Sequence, residues 1–450
     1  MSLLAPVLIA SGGSSVGRRG RAFCSITVGL AALASLAVGA IAHAQDKAVA
    51  APVQLRVFAG GQSQRPDLMR QLFDAYQKAN PHVTVHIETG GATSEMQRQY
   101  LSTVLNARDP TIDIYLIDIV NPAQFMGAGW LEPLDAYVGG PQVLKSFLPV
   151  YAESNVVKGQ VAAMPAYADA MFMYYRKDLL HKYGVAEPKT WDQLASAARK
   201  IQAGEKAADA TSSLQGLSIQ GAPIEGAVCT FLLPYWSQGK AFNDANGKLT
   251  LDRAAAARGM QMWLNLVDQG VMKKNIAEVT TTATVNEFKA GQAVFAISWS
   301  FAWDRFNADK DSRVRGQVGV MPLPAMNDGK SATCIGGWQW AVSAFSKSKT
   351  ESARLVQYMA SEPASKFLAI KGSLLPSMAG VYTDADVLKQ VPWLADAVPV
   401  VLAGQARPMS ARYGEVSDAI RNSTSAILAR TRTPAEGVDV IAGRLKRVMR

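Results

Sequence analysis

The stretch AMPAYADAMFMYYRKDLL, Ala163–Leu180, decides the fold. It is a long apolar run of strand-forming residues, with Tyr167 and Asp169 near its middle. A buried strand is usually about 5–6 residues long. The run therefore reads as two strands joined by an extended crossing, with Asp169 at the crossing. An unpartnered buried carboxylate costs several kcal/mol, so Asp169 is expected to face a polar cleft. A chain that passes between two lobes through a wet, aromatic-lined cleft belongs to a protein that closes on a ligand.

Outward from this stretch, strand and helix patterns alternate. Upstream, Gln54–Ala59 alternates into Gly60-Gly61. Pro66 opens a helix with an apolar stripe at Leu68, Met69, Leu72, Phe73 and Tyr76, stopped by Asn80-Pro81. Val83, Val85 and Ile87 mark a strand, Ser94 to Asn106 a helix, and Asp113–Ile119 a buried strand containing Asp118. Such alternation predicts an α/β lobe with a largely parallel sheet, whose ligands bind beyond the carboxyl ends of the strands. Downstream, Thr190 and Gln193 form a capping box for a helix ended by Gly204. Further helices are read at Arg253–Gln269, Val285–Lys289, Thr350–Ala360, Ala364–Lys371, Ser417–Leu428 and Pro434–Val448. Strands are read at Ala293–Trp299 and Val318–Met321, with an apolar segment at Cys334–Ser343.

The first 44 residues read as a cleaved secretory signal: a basic patch (Arg18, Arg19, Arg21), an apolar run to Ile41, and the exit Ala42-His43-Ala44. A single membrane anchor is the alternative. The chain is 450 residues long with 3 cysteines, and cleavage would remove Cys24. Cys229 and Cys334 are expected as two free buried thiols, with pairing as the alternative. With 4 histidines in the chain, zinc or haem chemistry has little support, and no cofactor or metal is implied. The net charge of +10 is scattered apart from Arg444, Lys446, Arg447 and Arg450, which suit a helix end. No focused basic stripe marks a nucleic-acid partner.

Signatures of catalysis, such as a nucleophile elbow, a phosphate-binding glycine loop or a His-Glu-x-x-His helix, are absent. A glycosidase needs two carboxylates, for which Asp118, Asp169 and Glu225 are candidates; the plainer reading makes them acceptors for ligand hydroxyls. A sugar presents apolar ring faces and a hydroxyl rim, which aromatic walls and carboxylate, amide or guanidinium groups match. Trp299, Trp303, Trp338 and Trp340 fall at strand ends or glycine turns, with Tyr167, Phe301 and Trp236 as companions. Trp340 and Trp303 read as core. Trp338 follows Gly336-Gly337, where the backbone is open to a ligand, and is expected in the cleft.

In this order, NPHVTVHIE (Asn80–Glu88), GWLEPLD (Gly129–Asp135), the Met164–Leu180 block, KTWDQL (Lys189–Leu194), FKAGQAVFAISW (Phe288–Trp299), VGVMPLP (Val318–Pro324) and IGGWQWAVS (Ile335–Ser343) resemble the carbohydrate-binding proteins of ABC importers. The trehalose/maltose subgroup is the nearest likeness, from about Gln54 to the C-terminus. The resemblance implies a two-lobed periplasmic binding protein fold of type II, a ligand cleft between the lobes, and three chain crossings: the opening stretch and segments near Ile335 and Ser373. Lobe one would comprise 45–167 and 335–375, lobe two 168–334 and 376–450, after a 1–44 signal peptide. The implied ligand positions are Asp118, Tyr167, Asp169, Glu225, Gly226, Trp299, Phe301, Gly337, Trp338 and Arg407. Gln64 and Arg65 stand where the subgroup usually has a glutamate. An arginine expected around Gln97 is missing, with Arg98 as a substitute, and Phe301 lacks a tyrosine hydroxyl. Arg65 would favour an acidic or differently linked sugar.

The resemblance further implies a monomer without enzymatic activity or cofactor, which captures a disaccharide or small oligosaccharide in the periplasm and passes it to an inner-membrane permease. The alternatives are a secreted carbohydrate-active enzyme using Asp118 and Glu225, and a binder of a non-sugar solute such as a polyamine or metal. A sensor role for the closed form stays open.

Overall fold

In the computed structural model, residues 51–448 are described apart from 245–247 and 328; the leader sequence lies outside them. Eleven strands are found among them: β1 (Val53–Phe58), β2 (Val83–Glu88), β3 (Ile114–Asp118), β4 (Val156–Val157), β5 (Gln160–Val161), β6 (Met164–Arg176), β7 (Gln215–Ser218), β8 (Ala293–Trp299), β9 (Val318–Met321), β10 (Thr333–Val342) and β11 (Gly404–Ala406). β4 and β5 form a small hairpin, and the rest make one sheet in the order β2-β1-β3-β10-β6-β8-β7, with β11 beside β10 and β9 beside β6. The sheet is mixed rather than largely parallel. β2, β1 and β3 run parallel, but β10 is antiparallel to both β3 and β6, and β6 to both β8 and β9.

The chain folds into two lobes, each with its own apolar core. In one, Leu55, Val57, Phe73, Leu116 and Trp340 pack between the early strands and the Pro66–Ala79 and Lys349–Met359 helices. On the same side, Leu101 and Leu105 of the Ser94–Asn106 helix meet Phe58 and Tyr115. In the other, Leu217, Phe231, Trp263, Ile297 and Ile420 join β7 and β8 to the Glu225–Ser237, Arg253–Asp268 and Tyr413–Leu428 helices.

β6 corrects the expectation of two strands with a crossing between them. It is one strand of 13 residues, and its length reflects two jobs. Met164–Ala170 pairs with β10, and Met171–Arg176 pairs with β8 and β9. The first half carries a bulge: Trp338 faces Tyr167 but Gln339 faces Pro165, so Ala166 is the extra residue. A bulge tolerates a proline, which has no N–H for the ladder. Leu375 bridges Ala168 from the other side. It follows Ser373, a left-handed residue (φ 52°) at the end of the Glu362–Gly372 helix. Three chain segments thus lie side by side where the lobes meet.

Two further expectations are overturned. Gly204 does not stop its helix, which runs Trp191–Ala208; it makes room for Tyr183, since an added Cβ would sit 2.1 Å from that ring. Cys229 and Cys334 are joined in a disulfide rather than left as free thiols. The bond ties the Glu225–Ser237 helix to β10. That helix escaped the sequence reading because all thirteen of its residues are buried and it shows no polar face.

Candidate functional site

The strand register builds one wall of a cavity between the lobes. Asp118 of β3 lies opposite Trp338 of β10, and Trp338 lies opposite Tyr167 of β6. In the next row, Gly336 faces Asp169. Side chains two apart on a strand share a face, so Tyr167 and Asp169, separated by one residue, both reach the cavity. Asp118 stands at the carboxyl end of its strand. The rest of the lining comes from helix starts: Thr93–Glu95, Ile224–Gly226 and Thr280–Thr282, with Ser63 and Gln64 from the turn after β1 and Trp299, Phe301, Leu374 and Arg407 closing it. The empty volume is about 830 Å³, part of it open to solvent.

Of the twelve positions named from the sequence, all but Arg65 line this cavity. Arg65 takes a left-handed backbone (φ 56°) before Pro66, and its guanidinium is drawn off by Asp67 at 2.9 Å and Asp304 at 3.3 Å. Gln64 is held inward: its Oε1 accepts from Gly61 N at 2.7 Å and from Gln97 Nε2 at 3.1 Å. Trp236, considered as a sugar-facing aromatic, is buried in its helix within the second core. Trp340 is core, and Trp303 stacks on Trp393 at 4.9 Å.

Gly336 and Gly337 line the cavity and are also constrained from behind. Gly337 has φ 123°, a conformation closed to side chains, and a Cβ there would lie 2.6 Å from Tyr151 and 2.9 Å from Tyr167 O. A Cβ on Gly336 would lie 2.6 Å from the Trp299 ring. Both are required by packing from inside the protein, which seats Trp299 against the strand.

Arg407 organises the charges. Its Nη2 donates to Asp118 Oδ1 at 2.6 Å, and its Nη1 to Glu225 Oε1 at 2.9 Å and Asp118 Oδ2 at 3.3 Å. The guanidinium lies 5.9 Å from the Trp299 ring centroid. Glu225 also accepts from the Tyr413 hydroxyl, from Ser417 Oγ at 2.7 Å and from Arg98 at 3.4 Å. Burial alone would raise its pKa; Arg407 and Arg98, with the two hydroxyls, outweigh burial and hold it below the usual carboxylate range. Asp118 accepts from Ser94 Oγ at 2.7 Å as well.

Asp169 goes the other way. Burial pushes it up to about 6, against the lowering pull of Ser300 N and Oγ and of Ala170 N, all on Oδ1 at 2.6–2.9 Å. Its Oδ2 has no partner among the described residues. The buried Tyr167 hydroxyl and Arg407 Nε are likewise unpartnered. Among the described residues no group of three or more His, Cys, Asp or Glu side chains is placed to hold a metal.

Sequence reading missed Ser94, Glu95, Thr280–Thr282, Tyr413 and Ser417, and weighed Arg98 only as a replacement. The available signal was positional: serine and threonine at helix starts that follow strand ends, where capping residues collect around a cleft.

Residues 60–366 match the family described as bacterial extracellular solute-binding protein. A probable ABC transporter-binding protein of Deinococcus radiodurans is 34% identical over 354 residues, 76% of this chain and 81% of that protein. A mannitol-binding protein of Pseudomonas aeruginosa is 25% identical over 319 residues, 67% of each chain. Among solved structures, maltose-bound MalE3 of T. maritima is similar with a TM-score of 0.81 at 31% identity, over 88% of this chain and 99% of that one. The GacH receptor of Streptomyces glaucescens shares the fold, with a TM-score of 0.77 at 24% identity over 88% and 98% of the two chains. The chain belongs to the bacterial extracellular solute-binding protein family.

Proposed function

We propose that the chain is the periplasmic substrate-binding protein of an ABC importer, exported by its leader. It takes a disaccharide or small oligosaccharide of the trehalose or maltose kind and delivers it to the membrane permease as a monomer without a cofactor. The observation that carries this reading is the make-up of the cavity wall. The aromatic side chains of Tyr167, Trp299, Phe301 and Trp338 stand beside carboxylates and a guanidinium in one space of about 830 Å³. Pyranose faces match the former and hydroxyl rims the latter. The likeness to a maltose-bound protein at 31% identity supports the same reading.

In this proposal Gln64, Asp118 and Trp338 act from lobe one (45–167 and 335–375). Glu225, Gly226, Trp299 and Arg407 act from lobe two (168–334 and 376–450), and Tyr167 and Asp169 wall the pivot side. Sugar bridges the half-sites and favours the closed form through its differential affinity for it. Binding without turnover fits the carboxylates: Asp118 and Glu225 share Arg407, and Glu225 is held ionised, the opposite of what a general acid needs. The test is calorimetry of the mature protein against a panel of neutral disaccharides, with the sugar recovered afterwards. Saturable binding and intact sugar are expected. Silence across the panel, or hydrolysis products, would overturn the proposal.

A further inference from the structure

The Ser94–Asn106 helix makes two contacts across the cleft. Glu95 Oε2 accepts from the backbone N of Glu225 at 3.1 Å. Three residues on, and so on the same face of the helix, Arg98 Nη1 reaches Glu225 Oε2 at 3.4 Å. The Arg98 guanidinium carbon lies 5.6 Å from the Tyr413 ring centroid. Glu225 and Tyr413 begin helices that pack in the other lobe's core. Arg98 is buried.

The partner helix needs this help. The first N–H groups of a helix have no intrahelical acceptor and are usually met by a capping oxygen. The Glu225–Ser237 helix starts after Ile224, which has no side-chain oxygen, and it has no side-chain cap of its own. Its first turn is buried. Glu95 therefore supplies from one lobe the cap that the other lobe's helix lacks, and Arg98 balances the carboxylate at that helix start.

We infer that Glu95 and Arg98 form a latch across the cleft: positioning residues that favour the closed form by capping and neutralising the start of the Glu225–Ser237 helix, rather than by holding the ligand. A contact made in one of two states shifts the equilibrium between them by its full differential energy. The latch is expected to shift the open–closed constant about tenfold, the equivalent of about 1.4 kcal/mol.

The inference rests on the sugar-binding proposal only for the second arm of its test. In the first arm, spin labels on one lobe of the unliganded protein report closed molecules through paramagnetic relaxation of the other lobe. The Glu95→Ala/Arg98→Met double variant is expected to reduce that relaxation about tenfold; equal relaxation in wild type and variant overturns the latch. In the second arm, stopped-flow with maltose is expected to show dissociation about tenfold faster and association within twofold of wild type. Glu95→Gln, whose amide oxygen still accepts an N–H, should lose much less than Glu95→Ala. Loss in Glu95→Gln equal to that in Glu95→Ala, or loss confined to association, assigns Glu95 to direct ligand contact and also overturns the latch. If maltose and the panel sugars do not bind the wild type, the proposed function fails while the relaxation arm still decides the latch. Should the double variant not fold, Glu95→Ala and Arg98→Lys singly carry the same comparisons.

Discussion

Asp169 offers the sharpest test of the site's electrostatics. Burial lifts its pKa from the ordinary 3.8 to about 6. The folded protein therefore holds this proton more tightly than the unfolded chain does. The site's contribution to stability is complete below the unfolded value and is lost as pH rises through about 6. Ionisation at pH 7 thus costs roughly 3 kcal/mol of stability, a little over two pK units at about 1.4 kcal/mol each. Asp169→Asn keeps the shape and an oxygen for Ser300 but cannot ionise. It is expected to be more stable than wild type at pH 7 by up to about 3 kcal/mol, an advantage that shrinks by about 1 kcal/mol on going to pH 5. Urea denaturation followed by tryptophan fluorescence at the two pH values measures the difference between the two proteins, in which all other titrations cancel. The same substitution exchanges the unpartnered Oδ2 for an amide donor, so sugar affinity should fall at least tenfold by calorimetry. A pH-independent stability difference, or one that grows on acidification, would refute the assignment of burial as the dominant cause.

Three further outcomes follow from the same geometry. Arg407→Ala leaves Asp118 and Glu225 buried without their shared cation, so it should lower stability by about 3–5 kcal/mol as well as abolish sugar binding, seen in thermal melts and calorimetry; wild-type melting would show the ion pairs to be idle. Gly337→Ala forces a side chain into φ 123° and against Tyr151, and should cost about 1–3 kcal/mol or more with weakened binding, whereas Gly380→Ala, with open space around it, should do neither. Reducing the Cys229–Cys334 bond, whose cysteines are 105 residues apart, should destabilise the protein by about 4–5 kcal/mol on the chain-entropy account, read as a lower urea midpoint with dithiothreitol; an unchanged midpoint would count against it.

Much of the fold was legible because local chemistry and tertiary role agree. The Ala293–Trp299 and Val318–Met321 strands and the Pro434–Val448 helix have the bounds their patterns announce. The reading faltered where a segment serves both lobes or no solvent at all. β6 looked too long for a strand because length norms describe strands with a single set of partners. The Glu225–Ser237 helix, buried all round, has no polar face from which to read a period. Arg65 lies beside Gln64 in sequence, yet one left-handed residue and two acidic neighbours turn it out of the cavity. Gly204 shows the same limit: whether a glycine ends a helix or admits a neighbour depends on Tyr183, which sequence does not place.

The charges around the cavity argue for a neutral ligand. Arg407 lines the cavity and Arg98 reaches Glu225 of the lining, and both are engaged by carboxylates. Against these two cations stand Asp118, Glu225 and Glu95, and at pH 7 Asp169 ionises as well. Arg65, the residue that would have favoured an acidic sugar, is already paired with Asp67 and Asp304 outside the lining. An anionic ligand would meet an excess of negative charge with no free guanidinium to offset it, in a site where burial magnifies the penalty. A polyamine would find the charge favourable, but would have to share its acceptors with Arg407 at the centre of the wall. A hydroxyl-rich neutral ligand meets neither obstacle: it can donate to Asp169 Oδ2, an oxygen of the lining that has no partner among the described residues.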